Sequence, residues 1–198
     1  MTCDKLDVKG LDIVRSSFPP AMRDLMTQVL KDILSDVDKD IIDEKILKFK
    51  KEMKTSDIQD IALPTGVKRL EKFADKRKVC KMYGNSSIFT QMNKGTPVHV
   101  KAAWIYNDLL KYYGLENVEK IKNSEKIKWV YLKDNPLNVK QIAFKGYDDP
   151  KEIMDFIIKN IDYDKLFERA LLKKIRMFYE ALKWDMPVDK ANTLERFF

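Results

Sequence analysis

The sequence contains only two cysteines, Cys3 and Cys80, and a single histidine, His99. A closed structural zinc site needs four ligands, so these residues do not form one without unusual help from carboxylates. Cys80 lies between two lysines, which lower a thiol pKa, but the chain has no second histidine or other evident base to activate it. The sequence therefore predicts no zinc site and two reduced, inert thiols.

Long hydrophobic runs are also missing. No apolar segment approaches the ~20 residues that cross a bilayer, and residues 1–5 lack the basic-then-apolar layout of a signal peptide. We therefore expect a cytoplasmic protein with no membrane partner. With 198 residues, of which 44% are hydrophobic, the chain is long enough for one large domain or two small ones.

Motifs that would indicate catalysis are absent as well. Residues 36–40 begin like a calcium loop, but Ile41 stands where that loop needs glycine and Leu47 where it needs its last acid. Residues 36–40, 148–150 and 162–164 are better explained as turns and helix caps. Since there is no phosphate-binding glycine loop and no nucleophile arrangement, the isolated chain is not expected to be an enzyme.

Positive charge, in contrast, is concentrated in one stretch. Between Gly66 and Lys101 there are nine Lys or Arg residues and two acids, which gives +7, the same as the formal charge of the whole chain. Such a field is typical of a surface that follows phosphates, and the alternative is a solvated basic face without a ligand. The stretch includes Lys68, Arg69, Lys72, Lys76, Arg77, Lys78, Lys81 and Lys94.

The spacing of apolar residues predicts several elements around this stretch. Helices are expected at about 20–33, 38–53, 99–113, 150–160 and 163–183, and a hairpin from strands at 126–133 and 139–145. A strand without an evident partner is expected at 6–15. Residues 55–97 are punctuated by proline and glycine, so we expect a long, mostly irregular connection there.

Several segments together resemble one family, in the same order along nearly the whole chain. They are 9–17 (Lys-Gly-Leu-Asp-Ile-Val-Arg-Ser-Ser), 97–101 (Pro-Val-His-Val-Lys) with 105–107, 124–127 with 135–136 and 142–144, 161–163 with 167–168, and 193–198 (Thr-Leu-Glu-Arg-Phe-Phe). The chain resembles the C-terminal part of family-B DNA polymerases of T-even-like bacteriophages. Residues 74–93 match this family least.

The resemblance implies an α+β, mainly α-helical fold: a thumb-like helical domain with a small antiparallel hairpin and an N-terminal strand that pairs with a palm domain. It places the end of the palm in residues 1–18, the thumb in 19–187 and a clamp-binding tail in 188–198. The catalytic carboxylates and Mg²⁺ would belong to an upstream piece with exonuclease, palm and fingers. The chain would then be the C-terminal piece of a split, virus-encoded nucleotidyltransferase in an infected bacterium. It would bind no cofactor and be inactive by itself.

The resemblance also implies contacts with primer–template duplex DNA. The candidate contact residues are Thr65, Gly66, Lys68, Lys72, Phe73, Lys94, His99 and Lys101. Gly66 lacks a side chain, so its N–H can approach a phosphate closely. His99 can donate to a phosphate or to the minor groove, although a buried structural histidine is the alternative. Phe73 is equally well explained as a core side chain beneath the loop.

The C-terminal segment carries a second candidate site. Leu194, Phe197 and Phe198 have the spacing with which one helical turn places a leucine and two aromatic rings in an apolar groove. The resemblance implies that this peptide docks on a sliding clamp, and the alternative is a tail folded back on its own core. Two other hypotheses remain for the whole chain: a free-standing, non-specific nucleic-acid-binding accessory protein, or a module whose basic stretch meets an acidic protein.

Overall fold

The computed structural model describes residues 16–74, 89–90 and 92–187. The predicted N-terminal strand, both cysteines, the basic residues from Lys76 to Lys81, and the tail residues Leu194, Phe197 and Phe198 lie outside these ranges. The fold is α+β, about 52% helical, with a small open sheet of three antiparallel strands. The predicted fold class is confirmed at that level. No helix within the described ranges is long and apolar enough to cross a membrane.

The chain divides into two compact units. Among the described residues, one consists of residues 16–61 and 164–187, and the other of residues 62–74, 89–90 and 92–163. All eight candidate DNA contacts belong to the second unit. The domain boundaries expected after residues 18 and 187 stay predictions.

Three helices begin the first unit: α1 (Pro20–Leu34), α2 (Lys39–Glu52) and the short α3 (Ile58–Ile61). Pro20 suits the first turn of α1 because a proline has no N–H to leave unbonded there. An ion pair between Lys45 and Asp32 joins α1 to α2. Their apolar stripes supply much of the core: Met22, Leu25, Met26, Val29, Ile42 and Ile46. The first two predicted helices are confirmed.

The acids before α2 do not cap it as predicted. Asp38 occupies the cap position, but its side chain makes no hydrogen bond to the helix N-terminus. Asp40 lies in the first turn, where its charge favours the positive end of the helix. The capping prediction is therefore wrong for Asp38, while Asp40 has the expected electrostatic position.

The C-terminal helical segment differs from the single α-helix predicted over 163–183. It consists of α7 (Tyr163–Leu166), a π-helical stretch at Phe167–Leu172 and α8 (Lys173–Leu182), and it ends at Lys183 with a φ of 58°. The π turn places one extra residue in the helix, and Phe167, Ala170 and Leu171 within it are buried. The predicted ends are confirmed, and the uniform α geometry is wrong.

The second unit is built on the sheet, whose strand order is β1 (Leu63–Gly66), β2 (Lys126–Tyr131) and β3 (Gln141–Phe144). The predicted hairpin is confirmed as β2 and β3. Strand β1 falls in the connection predicted to be irregular, so that prediction is wrong at this point. Pro64 and Gly66 conceal the strand in the sequence, since both are turn residues; proline is nevertheless tolerated on an edge strand such as β1.

The two longest helices of the second unit pack on the sheet and on each other. Helix α5 (Val98–Tyr112) packs on β2 and β3, and α6 (Lys151–Asn160) packs on α5. Gly114 follows α5 with a φ of 68°, as a helix-terminating glycine does. The Asp149 carboxylate accepts hydrogen bonds from the N–H groups of Lys145 (2.9 Å) and Gly146 (2.6 Å), just before α6. Both helices and this turn agree with the sequence predictions.

Candidate nucleic-acid interface

The loop after β1, together with the short helix α4 (Leu70–Phe73), carries three exposed cations. Lys68, Arg69 and Lys72 are exposed, while Leu70 among them is 3% exposed and anchors the loop in the core. Arg69 has a φ of 58° and a ψ of 44°, a left-handed conformation that side chains disfavour. Phe73 is only half-buried. The core role considered for Phe73 is therefore filled mainly by Leu70.

The second basic segment is bonded to the first through the backbone. Ala74 and Met92 form an antiparallel bridge, and the Asn93 N–H donates to the Phe73 carbonyl at 3.0 Å. The exposed Lys94 follows directly. Residues at both ends of the basic stretch are thereby brought together, although the chain between them is long.

A tight turn presents Lys94. Gly95 has a φ of 88°, which glycine adopts readily, and Thr96 is 3% exposed. The Thr96 hydroxyl donates to the Asn93 carbonyl at 2.6 Å, and the Thr96 N–H donates to the same oxygen at 3.1 Å. The turn is closed by its own polar groups, so Lys94 stands at a defined position.

The N-terminal end of the same segment, at Thr90, is hydrogen-bonded to Asp108 of α5. This carboxylate, on a residue 2% exposed, accepts hydrogen bonds from the Thr90 N–H (2.6 Å) and the Thr90 hydroxyl (2.9 Å). Burial raises the pKa of Asp108, and the bonds from Thr90 and the charge of Lys111 oppose that rise. Asp108 therefore serves as an internal anchor, not as a surface acid facing a ligand.

Strand β1 places Thr65 and Gly66 differently. Gly66 lies opposite the exposed Lys126, and Thr65 lies opposite the buried Ile127. Since side chains alternate along a strand, these two pairs lie on opposite faces of the sheet. A Cβ atom added to Gly66 would meet nothing within 4 Å. Gly66 and Lys126 thus share an open surface, and Lys126 is a candidate contact that the sequence interpretation missed.

The start of α5 combines an uncapped helix end with His99. Pro97 precedes the helix, no side chain caps it and its first turn contains no acid. The helix dipole therefore gives this end a partial positive charge. His99 is half-buried, whereas Lys101 is only 9% exposed. Of the eight candidate contacts, Lys101 is the least accessible.

We use the term basic surface for Lys68, Arg69, Lys72 and Lys94. No carboxylate within the described ranges forms an ion pair with any of the four. The one exposed acid among them in sequence, Glu71, accepts a hydrogen bond from the Asn123 amide. The cations can consequently meet an anionic ligand without first breaking an ion pair to any described residue.

Burial lowers the pKa of His99 below its ordinary value. The imidazole is therefore mostly neutral at pH 7, with one N–H available as a donor. A neutral His99 suits hydrogen bonding to a phosphate or a base edge, and it does not add a full charge to the basic surface before a ligand arrives.

This pKa shift predicts a pH dependence of stability. The unfolded chain binds a proton on His99 near the ordinary pKa of about 6.5, while the folded chain resists it. The contribution of His99 to the free energy of unfolding is therefore complete above a pH of about 6.5. It is lost as the pH falls toward the lower pKa of His99 in the folded chain. When the pH is lowered from 7.5 to 5.5, the free energy of unfolding, measured with urea, should fall less for His99→Gln than for the natural chain. Equal decreases would contradict the assignment, since His99 is the only histidine.

The described ranges contain no group of three or more His, Cys, Asp or Glu side chains placed to hold a metal ion. The chain matches no protein-family model and no curated protein.

Proposed function

We propose that this chain is the C-terminal thumb portion of a DNA-directed DNA polymerase and holds primer–template duplex DNA through its basic surface. The observation that supports this most directly is the joining of Lys72 and Phe73 to Lys94 through the Ala74–Met92 bridge. The candidate contacts come from two segments separated in sequence. Their cations must lie on one surface if they are to contact the phosphates of the same duplex. The polymerase assignment itself rests on the ordered resemblance of the segments described above.

In this proposal the chain contributes binding and not chemistry. Lysine and arginine side chains neutralise phosphates and release counterions, and such contacts are indifferent to base sequence, as replication requires. Gly66 offers a backbone N–H on an open surface, and His99 offers a donor at the start of α5. The magnesium ions and catalytic carboxylates would be supplied by an upstream piece that carries exonuclease, palm and fingers.

Gly66 allows a test in which binding and stability separate. Because a Cβ atom fits there without a contact and the backbone is an ordinary strand, Gly66→Ala should leave the free energy of unfolding unchanged or raise it by about 0.5–1 kcal/mol. If a phosphate approaches the Gly66 N–H, the added methyl group should weaken duplex affinity by about tenfold. Fluorescence anisotropy and urea unfolding measure the two quantities. Unchanged affinity would remove Gly66 from the interface.

Primer extension tests the polymerase assignment. The chain alone should incorporate no nucleotide, and mixing it with the upstream polymerase piece should give extension that neither component gives alone. Full activity of the upstream piece with no gain on mixing would contradict the proposal. Duplex binding without any effect on extension would instead favour a free-standing nucleic-acid-binding protein.

The proposal extends to the C-terminal tail, where Leu194, Phe197 and Phe198 would dock on the sliding clamp. Deletion of residues 193–198 should leave unprocessive extension intact and abolish its stimulation by the clamp. Retained stimulation would favour a tail that only packs on its own chain.

A further inference from the structure

Three of the four cations of the basic surface lie on a loop that has little packing of its own. Between Val67 and Phe73 only Val67 and Leu70 are buried, and the three cations of the loop are exposed. The left-handed conformation of Arg69 is intrinsically unfavourable, so neighbouring contacts must hold it. Those contacts converge on the backbone of Leu70.

Asn123 supplies the contact that follows Arg69 directly. Its side-chain oxygen accepts the Leu70 N–H at 2.6 Å, and its amide nitrogen donates to the Glu71 carboxylate. One side chain, more than fifty positions away, therefore fixes the loop backbone and also engages the only acid within the loop. The Trp104 indole N–H donates to the Leu70 carbonyl at 3.1 Å and holds the other side of the same residue.

The turn that carries Asn123 is itself fixed to the loop. The Ser124 N–H donates to the Val67 carbonyl at 2.8 Å, and the Val67 N–H donates to the Glu125 carbonyl at 2.9 Å. These bonds continue the pairing of β1 and β2 beyond the ends of both strands. The turn that carries Asn123 is therefore held to the loop by backbone hydrogen bonds, although Asn123 itself is solvent-exposed.

We propose that Asn123 is the positioning residue of the DNA interface: it holds the 67–73 loop so that Lys68, Arg69 and Lys72 face the phosphates together, and it keeps the Glu71 carboxylate occupied. This inference rests on the proposed function, because it assumes that the basic surface binds duplex DNA. Asn123 contacts no phosphate in this account. It acts by reducing the conformational freedom that the loop loses on binding.

The test compares Asn123→Ala with Lys72→Gln and with Asn135→Ala. Asn135 is a matched control, since its amide also bonds loop backbone, at Lys133 and Val139, but far along the hairpin from the basic loop. Affinity for a 20-base-pair duplex is measured by anisotropy across a series of salt concentrations, at a temperature where circular dichroism shows every variant to be folded.

Asn123→Ala should weaken binding about 5- to 20-fold with an unchanged log–log salt slope, because no phosphate contact is lost. Lys72→Gln should weaken binding and flatten the slope by about 0.9. In the Lys72→Gln background the effect of Asn123→Ala should shrink, since Asn123 acts through the loop cations. Asn135→Ala should leave both quantities unchanged.

The possible failures are distinguishable. If the natural chain does not bind duplex DNA, the proposed function fails and the inference fails with it. If Lys72→Gln weakens binding but Asn123→Ala does not, the positioning role is overturned while the proposed function stands. A flatter salt slope for Asn123→Ala would also overturn the positioning role, because it would indicate direct contact with a phosphate. An equal loss of affinity for Asn135→Ala would overturn it too, because it would indicate a general effect of removing a loop asparagine.

Discussion

Replacing Lys68, Lys72 and Lys94 together by glutamine should reduce duplex affinity on the order of 10²- to 10³-fold near 0.1 M salt. Each lost phosphate contact removes about 0.9 from the log–log salt slope, so the slope should flatten by about 2.7 if all three lysines contact phosphates. The three side chains are exposed and have no ion-pair partner within the described ranges. Their replacement therefore breaks no internal ion pair in that part of the chain, and the fold should persist.

A charge-matched control is available within the same unit. Lys133, Lys151 and Lys159 are also exposed, and they lie in the hairpin loop and on α6. Replacing these three by glutamine lowers the net charge by the same amount but should change the slope by well under one. Equal effects of the two triple variants would mean that only total charge matters, and the basic surface would lose its special role.

The largest effect on stability is expected from Asn107→Ala. Asn107 is 4% exposed, and its amide forms a reciprocal pair with the backbone of Ile121: the Ile121 N–H donates to its oxygen at 2.8 Å, and its nitrogen donates to the Ile121 carbonyl at 2.9 Å. Removing the amide leaves two buried backbone groups without partners. The free energy of unfolding should fall by about 2–4 kcal/mol.

Urea unfolding monitored by circular dichroism measures this loss, with Asn135→Ala as the comparison. Asn135 bonds backbone in a similar way but is only half-buried, so water can replace its bonds and the loss should be about 1 kcal/mol or less. Equal losses for the two variants would contradict the role assigned to the buried amide.

Regular elements could be predicted where the apolar period is strong. Helices α1, α2, α5 and α6 follow from recurring apolar side chains, and the β2–β3 hairpin follows from alternation around a polar link. Strand β1 could not be predicted, because Pro64 and Gly66 indicate a turn and only pairing with β2 makes the segment a strand. The π turn at Phe167–Leu172 has no local signal, since it depends on which side chains the core accommodates.

The sequence indicates which residues are candidates for the interface, but it does not indicate the contacts that hold their segments together. Charge and resemblance indicated Lys68, Lys72 and Lys94, and the structure places all three at the surface. The bridge between Ala74 and Met92 and the bonds from Asn123 to the loop join residues distant in sequence. A single asparagine or alanine carries no pattern from which such pairing follows.

Lysine footprinting tests the central claim, that duplex DNA lies on the basic surface, most directly. The full chain is acetylated briefly with and without a saturating duplex, and mass spectrometry gives the modified fraction of each lysine. We expect Lys68, Lys72 and Lys94 to lose most of their reactivity while Lys133, Lys151 and Lys159 keep theirs. Equal protection of the two sets, or protection of the second set alone, would contradict it.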